Sequence, residues 1–302
     1  MRNSIVVIIL LSSFLAGCAA NMQTQMGNAQ MGNLLLAEPA PMSARSQMAI
    51  ARYNQILVQA SLKDEERAQL FHQRGMLYDS VGLSGLAQFD FNQALRLKPD
   101  MAEAYNSIGV HYTQQMEFAE AYEAFDATLD INPDYDFAFL NRGIALYYGG
   151  RPDLAIEDFD AFYSKDESDP YRALWSFIAA REVDTNRALA ELNDSRKQLD
   201  ENNWATKLVD LYLGEITENG LLNGLIKGVT SQQQLTDRLC EAYFYLGKYH
   251  SAKGNRGVAS NYFKLALSTN VFEYVEHRYA RLELNLLRDK ANSSTTTEPV
   301  IQ

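Results

Sequence analysis

Large apolar, small and helix-breaking residues return along this chain every thirty-four positions. Phe71, Gly75, Tyr78, Ala87, Phe91, Ala94 and Pro99 are followed in register by Tyr105, Gly109, Tyr112, Ala121, Phe125, Thr128 and Pro133. A third round gives Phe139, Gly143, Leu146, Ala155, Phe159 and Phe162, with Pro170 arriving three positions late. Each round predicts a pair of helices. Gly75 and Gly109 fall where two helices must approach closely, Ala87 and Ala121 supply small positions on the second helix, and Phe91 and Phe125 fill the remaining space. Each proline ends a helix, because it lacks an N–H and clashes with the preceding turn. Asp100, with Glu103 three residues on, predicts a cap for the helix that follows.

The pattern fades after Pro170. Residues 171–199 still read as two helices, opened by Asp169-Pro170 and carrying Leu174, Trp175, Ile178 and Ala179 as an apolar stripe. Residues 203–227 predict two short helices broken near Gly214 and Gly228. The pattern then returns in Tyr243, Gly247, Gly254, Ala259, Phe263 and Ala266, behind a capping box at Ser231 and Gln234. A last amphipathic helix is predicted over 272–287, with Arg278, Arg281 and Arg288 toward water, and a first one over 43–59.

These spacings resemble the tetratricopeptide repeat, whose unit is a helical hairpin of thirty-four residues. The resemblance implies an all-α fold, a helical-hairpin solenoid with terminal capping helices. The repeat domain spans 43–288, with clear repeats at about 68–101, 102–135, 136–169 and 240–273. A disordered Ser/Thr-rich tail is expected over 289–302.

The amino end changes the picture. Arg2 precedes an apolar run from Ile5 to Leu15, too short for a comfortable membrane span, so residues 1–17 read as a signal peptide. Leu15-Ala16-Gly17-Cys18 resembles the bacterial lipobox, which implies cleavage before Cys18, a diacylglycerol on its thiol and an N-acyl chain on its new amino group; a plain leader with an incidental cysteine is the alternative. Ala19 stands where inner-membrane retention uses Asp, so by the lipobox family's rule the protein is expected on the periplasmic face of the outer membrane. Residues 18–42, rich in Met, Gln, Asn and Ala, read as a flexible tether reaching ~80 Å when fully extended. With Cys18 acylated, Cys240 has no partner for an internal disulfide and reads as a buried core residue, a reactive or intermolecularly paired thiol being the alternative.

The net charge of −11 repels phosphate backbones and excludes nucleic acid as a partner of choice. No nucleophile elbow, phosphate loop or His-Glu-x-x-His is present, and His72, His111, His250 and His277 lack metal-ligand spacing, so no enzyme activity, metal or cofactor is expected. What a solenoid offers is a concave surface lined by the first helix of each hairpin. By the repeat's geometry this surface includes Gln69, His72, Met76, Asp79, Glu103, Asn106, Val110 and Thr113, then Phe137, Leu140, Tyr147 and Tyr148 in the third round. Aromatic groups there suit a peptide. For Tyr147, core packing is an equal reading.

Four longer segments sharpen the resemblance: residues 64–70 (DEERAQL), 140–151 (LNRGIALYYGGR), 244–249 (FYLGKY) and 275–284 (VEHRYARLEL). With the lipobox they resemble the NlpI-type family of outer-membrane repeat lipoproteins. That resemblance implies a homodimeric, non-catalytic adaptor. It implies as partners the tail-specific protease Prc and peptidoglycan hydrolases, a MepS-type endopeptidase being delivered for proteolysis, with consequences for cell-wall hydrolysis and cell division. The alternatives are a pilotin-like assembly lipoprotein using the same groove, and a murein hydrolase.

Overall fold

The computed structural model describes residues 35–295, with side chains through 289. The expected signal peptide, Cys18 and most of the tether lie outside the described residues. Those described form fourteen α-helices and no strand: α1 (Ala44–Gln59), α2 (Asp64–Ser80), α3 (Ser84–Leu97), α4 (Ala102–Gln115), α5 (Phe118–Ile131), α6 (Asp136–Tyr148), α7 (Pro152–Tyr163), α8 (Pro170–Val183), α9 (Thr185–Ser195), α10 (Thr206–Leu213), α11 (Glu218–Gly224), α12 (Gln232–Ala252), α13 (Arg256–Ser268) and α14 (Val275–Thr295).

Four hairpins, α2–α3, α4–α5, α6–α7 and α12–α13, share one contact. A Cβ on Gly75 would stand 2.6 Å from the ring of Phe91, and Gly109 meets Phe125, Gly143 meets Phe159 and Gly247 meets Phe263 in the same way. All four rings are fully buried. The sixteen-residue step from glycine to phenylalanine is therefore the packing unit of the fold: a hydrogen on one helix leaves the slot that a ring on the next fills.

The sequence also held a second pairing at the same step, one that its apolar pattern hides. Arg74 grips Asp90 through two bonds of 2.6 Å, and Arg142 grips Asp158 at 2.8 and 2.7 Å. In the intervening hairpin both positions change together, to Ile108 and Ala124. The charged pair is kept or replaced as a unit, as a nearly buried carboxylate requires.

Helix ends follow the local chemistry in most places. Glu66 accepts from the Lys63 backbone N–H at 3.0 Å, Asp169 accepts from Tyr171 N–H ahead of Pro170, and Ser231 accepts from Gln234 N–H. Asp100 differs from expectation. It pairs with Lys98 at 2.7 Å, and the cap position of α4 falls on Met101, whose buried side chain anchors that end through packing.

Both tails also differ. The end of the expected tether is bound to the carboxyl-terminal hairpin: Ala40 N–H donates to the Thr269 carbonyl at 2.7 Å, Thr236 Oγ1 to the Glu38 carbonyl at 3.2 Å, and the Tyr243 hydroxyl to the Leu35 carbonyl. Extended backbone satisfies polar groups that α12 and α13 would otherwise leave to water. At the other end α14 runs to Thr295, so residues 289–295, expected as tail, continue a helix; 296–302 lie outside the described residues. Cys240 is fully buried beside the Ala266 carbonyl, and burial pushes its thiol pKa up, away from reactivity.

Candidate protein-docking groove and adjoining cavity

The first helices of the hairpins, α2, α4 and α6, line a concave face, but its two halves have different fates. Five of the expected positions on this face are not buried. Gln69 and Glu103 are exposed, Met76 and Phe137 are 45% and 58% exposed, and His72 is half-buried against Phe91. Burial lowers the His72 pKa against the opposing pull of Glu103, which favours a neutral ring. Asn106 is buried and accepts from the Asn141 side chain at 3.0 Å, tying α4 to α6 and leaving little of its amide for a partner.

Near the carboxyl ends of the same helices the face is filled by α14. Arg278 stands 3.6 Å from Asp79, which also pairs with His111 at 3.0 Å. Tyr279 is 1% exposed and its ring lies 5.6 Å from that of Tyr148. The Tyr148 hydroxyl donates to Glu283 at 2.9 Å. Asp79, Thr113 and Tyr148, expected as partner-binding positions, are therefore covered from within the chain: Thr113 is fully buried and donates to the Gly109 carbonyl. Arg278, expected to face water, is turned inward for the same reason. Val110 and Leu140 are buried as well. A solenoid's concave face is apolar enough to attract an amphipathic helix, and α14 is tethered within reach.

Beyond the covered half lies a cavity of about 850 Å3, reaching Tyr147 and Tyr148 on α6, Arg181 on α8, Tyr212 on α10, Lys248 on α12 and Glu283 on α14. Its floor is a buried ion pair. Lys248, 2% exposed, donates to Glu283 at 2.5 Å and to the Tyr147 hydroxyl at 2.8 Å, with its ammonium 4.3 Å from the Tyr147 ring centroid. Burial works most strongly against the Lys248 charge, but Glu283 and Tyr147 together outweigh it and the pKa lies above that of an ordinary lysine. Burial and the neighbouring Glu283 carboxylate hold the Tyr148 phenol far above its usual value, so it stays a donor. Of the two tyrosines singled out in the sequence, Tyr147 reaches the cavity half-exposed, and Tyr148 belongs to the packed wall.

Lys248 and Glu283 escaped the sequence reading, since each sits in an amphipathic helix where a charged residue reads as surface. The one hint was position: Lys248 directly follows Gly247, the close-approach glycine of its hairpin.

A second polar cluster sits behind α12. Glu241 accepts from the Trp204 indole N–H at 3.0 Å. Burial first, then the charge of Glu276, pushes Glu241 up to about 8, and burial raises Glu276 to about 7. Among the described residues no group of three or more His, Cys, Asp and Glu side chains is placed to hold a metal ion.

Residues 68–101 match the family model of the tetratricopeptide repeat. Among solved structures, a tetratricopeptide repeat protein from Parabacteroides merdae is 20% identical, with a TM-score of 0.48 over 81% of this chain and 78% of its own. MamA is 20% identical, with a TM-score of 0.45 over 51% and 88%. The pilF protein of Pseudomonas aeruginosa is 18% identical, with a TM-score of 0.43 over 73% and 99%. Residues 68–101 match that repeat, and its glycine–phenylalanine contact is built again in three further hairpins of an all-α body.

Proposed function

We propose that the protein is a non-catalytic scaffold, lipid-anchored through Cys18 to the outer membrane, that holds a protease and its client together on the periplasmic face. The observation that carries this reading is the shared face of α2, α4 and α6, which keeps Gln69, Met76, Glu103 and Phe137 exposed. Such a surface binds protein segments through exposed side chains on a rigid frame. By the resemblance to NlpI-type lipoproteins, the protease is of the Prc type and the client a MepS-type peptidoglycan endopeptidase. Holding both on one homodimeric, membrane-tethered body raises their mutual concentration without new chemistry.

Crosslinking in native outer membranes followed by identification of the captured proteins tests this reading. A tail-specific protease and a murein endopeptidase are expected, with capture weakened by Phe137→Ala and Glu103→Lys. Wild-type capture by both variants removes the open half of the groove from the mechanism. Cys18→Ala should release the protein from the outer-membrane fraction; unchanged fractionation would show that the anchor lies elsewhere. Light scattering of the soluble body at micromolar concentration is expected to give twice the chain mass.

A further inference from the structure

Helix α1 runs against the charge of the rest of the chain. It holds Arg45 and Arg52 and no acid, in a sequence of net charge −11. One side of it rests on α2. Leu57 is buried there, Ile50, Tyr53 and Ile56 are half-buried, Asn54 accepts from Arg74 at 2.7 Å, and the Leu57 carbonyl accepts from Arg67 at 2.9 Å. The other side is bare. Arg45 and Arg52 are exposed and make no hydrogen bond or ion pair among the described residues. Met48, one turn from each, is 73% exposed, and Met42, just ahead of the helix, is 43% exposed.

Cations beside apolar side chains on one helix face are what an interfacial helix presents to lipid: the guanidinium stays with the phosphates while its stem and the neighbouring thioethers reach the acyl boundary. Charge decides which part of the body can meet such a surface. An anionic bilayer attracts basic segments and repels a face such as that of α5, which carries Glu120, Glu123, Asp126 and Asp130 and no base. Asp64, Glu65 and Glu66, all exposed, follow the carboxyl end of α1, so its amino half is the part that can approach. On the anchoring proposed for Cys18, Ala44 lies at most ~90 Å of chain from the membrane, which keeps the two at high effective concentration.

We infer that the amino half of α1 is a membrane-docking face for anionic phospholipid, Arg45 and Arg52 pairing with headgroup phosphates while Met42 and Met48 meet the acyl boundary. This rests on the outer-membrane anchoring proposed for Cys18 and adds an orientation to it: the body is held to the bilayer through α1 as well as by its anchor. The contact is weak alone and counts because the anchor keeps it within reach, as a basic patch supports a lipid chain.

The mature chain with Cys18→Ser and an amino-terminal hexahistidine tag, held on vesicles that carry a nickel-chelating lipid, tests the face without any acyl anchor. Vesicles of phosphatidylcholine alone are compared with equal parts of phosphatidylcholine and phosphatidylglycerol, and amide hydrogen exchange is read by mass spectrometry. Peptides covering 42–53 should exchange about tenfold more slowly on the anionic vesicles, the order expected of two arginines near such a surface, while those of α5 should not change. The slowing should vanish at about 1 M salt, where the Debye length is about 3 Å. Arg45→Gln with Arg52→Gln should abolish it with circular dichroism and melting temperature unchanged, and Arg45→Lys with Arg52→Lys, which keeps the charge, should retain most of it. Equal exchange on both vesicles, slowing that extends to α5, or slowing that survives the paired glutamine substitutions overturns the inference. So does slowing of 42–53 in solution that grows with protein concentration, which assigns the face to a second copy of the chain. The tag replaces the acyl anchor, so fractionation of Cys18→Ala and crosslinking to partners judge the scaffold reading separately.

Discussion

Gly109 and Phe125 are fitted so closely that change in either direction destabilises. A methyl at residue 109 meets the Phe125 ring at 2.6 Å in a fully buried site, so Gly109→Ala should cost about 1–3 kcal/mol by overpacking. Phe125→Ala leaves a cavity in the same place and should cost about 3–5 kcal/mol, both read from urea denaturation at constant slope. Asp90 poses a different problem. With a side chain 1% exposed, it depends on Arg74. Arg74→Ile should lose about 3–5 kcal/mol by stranding that carboxylate, whereas Arg74→Ile with Asp90→Ala, the pair found at Ile108 and Ala124, should recover most of the loss. Glu241 and Glu276 give a pH signature. Their folded pKa values, about 8 and about 7, lie above the ordinary glutamate value of 4.5, so between those limits the native state holds protons that the unfolded chain has released. Stability should therefore be fullest below pH 4.5 with respect to this pair and fall as pH rises through 7 to 8, by on the order of a few kcal/mol. Glu241→Gln should flatten that fall in unfolding curves measured from pH 5 to 9; an unchanged slope would place the titration elsewhere.

Helix α14 has two tasks that no other helix combines. Its first turns, through Arg278 and Tyr279, cover the carboxyl ends of α2 and α6, and its middle, through Glu283, lines the cavity. Helices α8 and α12 meet despite the excursion of α9 to α11: the Trp175 ring on α8 lies 6.1 Å from Phe244 on α12 and stacks on Phe159 of α7 at 5.7 Å. The excursion is pinned through α10, whose Tyr212 hydroxyl donates to the Tyr245 carbonyl on α12 at 2.7 Å. Here the repeat signature was lost in the sequence while the stacking continued in space. Aromatic packing supplied the continuity that the glycine–phenylalanine step supplies elsewhere.

At the scale of the whole molecule, the described body is a solenoid whose last helix returns to its first repeat. Gly82, between α2 and α3, abuts the Phe272 ring just before α14, and Asp79 receives Arg278. Stacked repeats unfold with contributions from neighbours only, but a bridging helix couples distant hairpins. Tyr279→Ala should accordingly do more than lower stability by about 3–5 kcal/mol. It should reduce the urea slope or split the transition, with the α2–α5 hairpins losing amide protection before α12 and α13 in hydrogen exchange; a single transition of wild-type slope would show that coupling runs through the stack itself. The hairpins were legible in the sequence because each is made by residues at most thirty-four positions apart, and steric fit at a fixed step leaves a periodic mark. Capping at Ser231 and Asp169 was legible for the same reason, and Asp100 misled because packing of Met101 overrode a local signal. The groove was only half legible. Its helices and positions followed from the repeat, but whether Asp79, Thr113 and Tyr148 face a partner or the protein's own α14 depended on Glu283, 135 residues beyond Tyr148. The sequence by itself determined the helical hairpins and the small-against-large contacts that stack them. Tertiary structure alone decided which part of the concave face stays open and that Lys248 is interior, because a charged side chain on an amphipathic helix is read as surface until the element that covers it is in place.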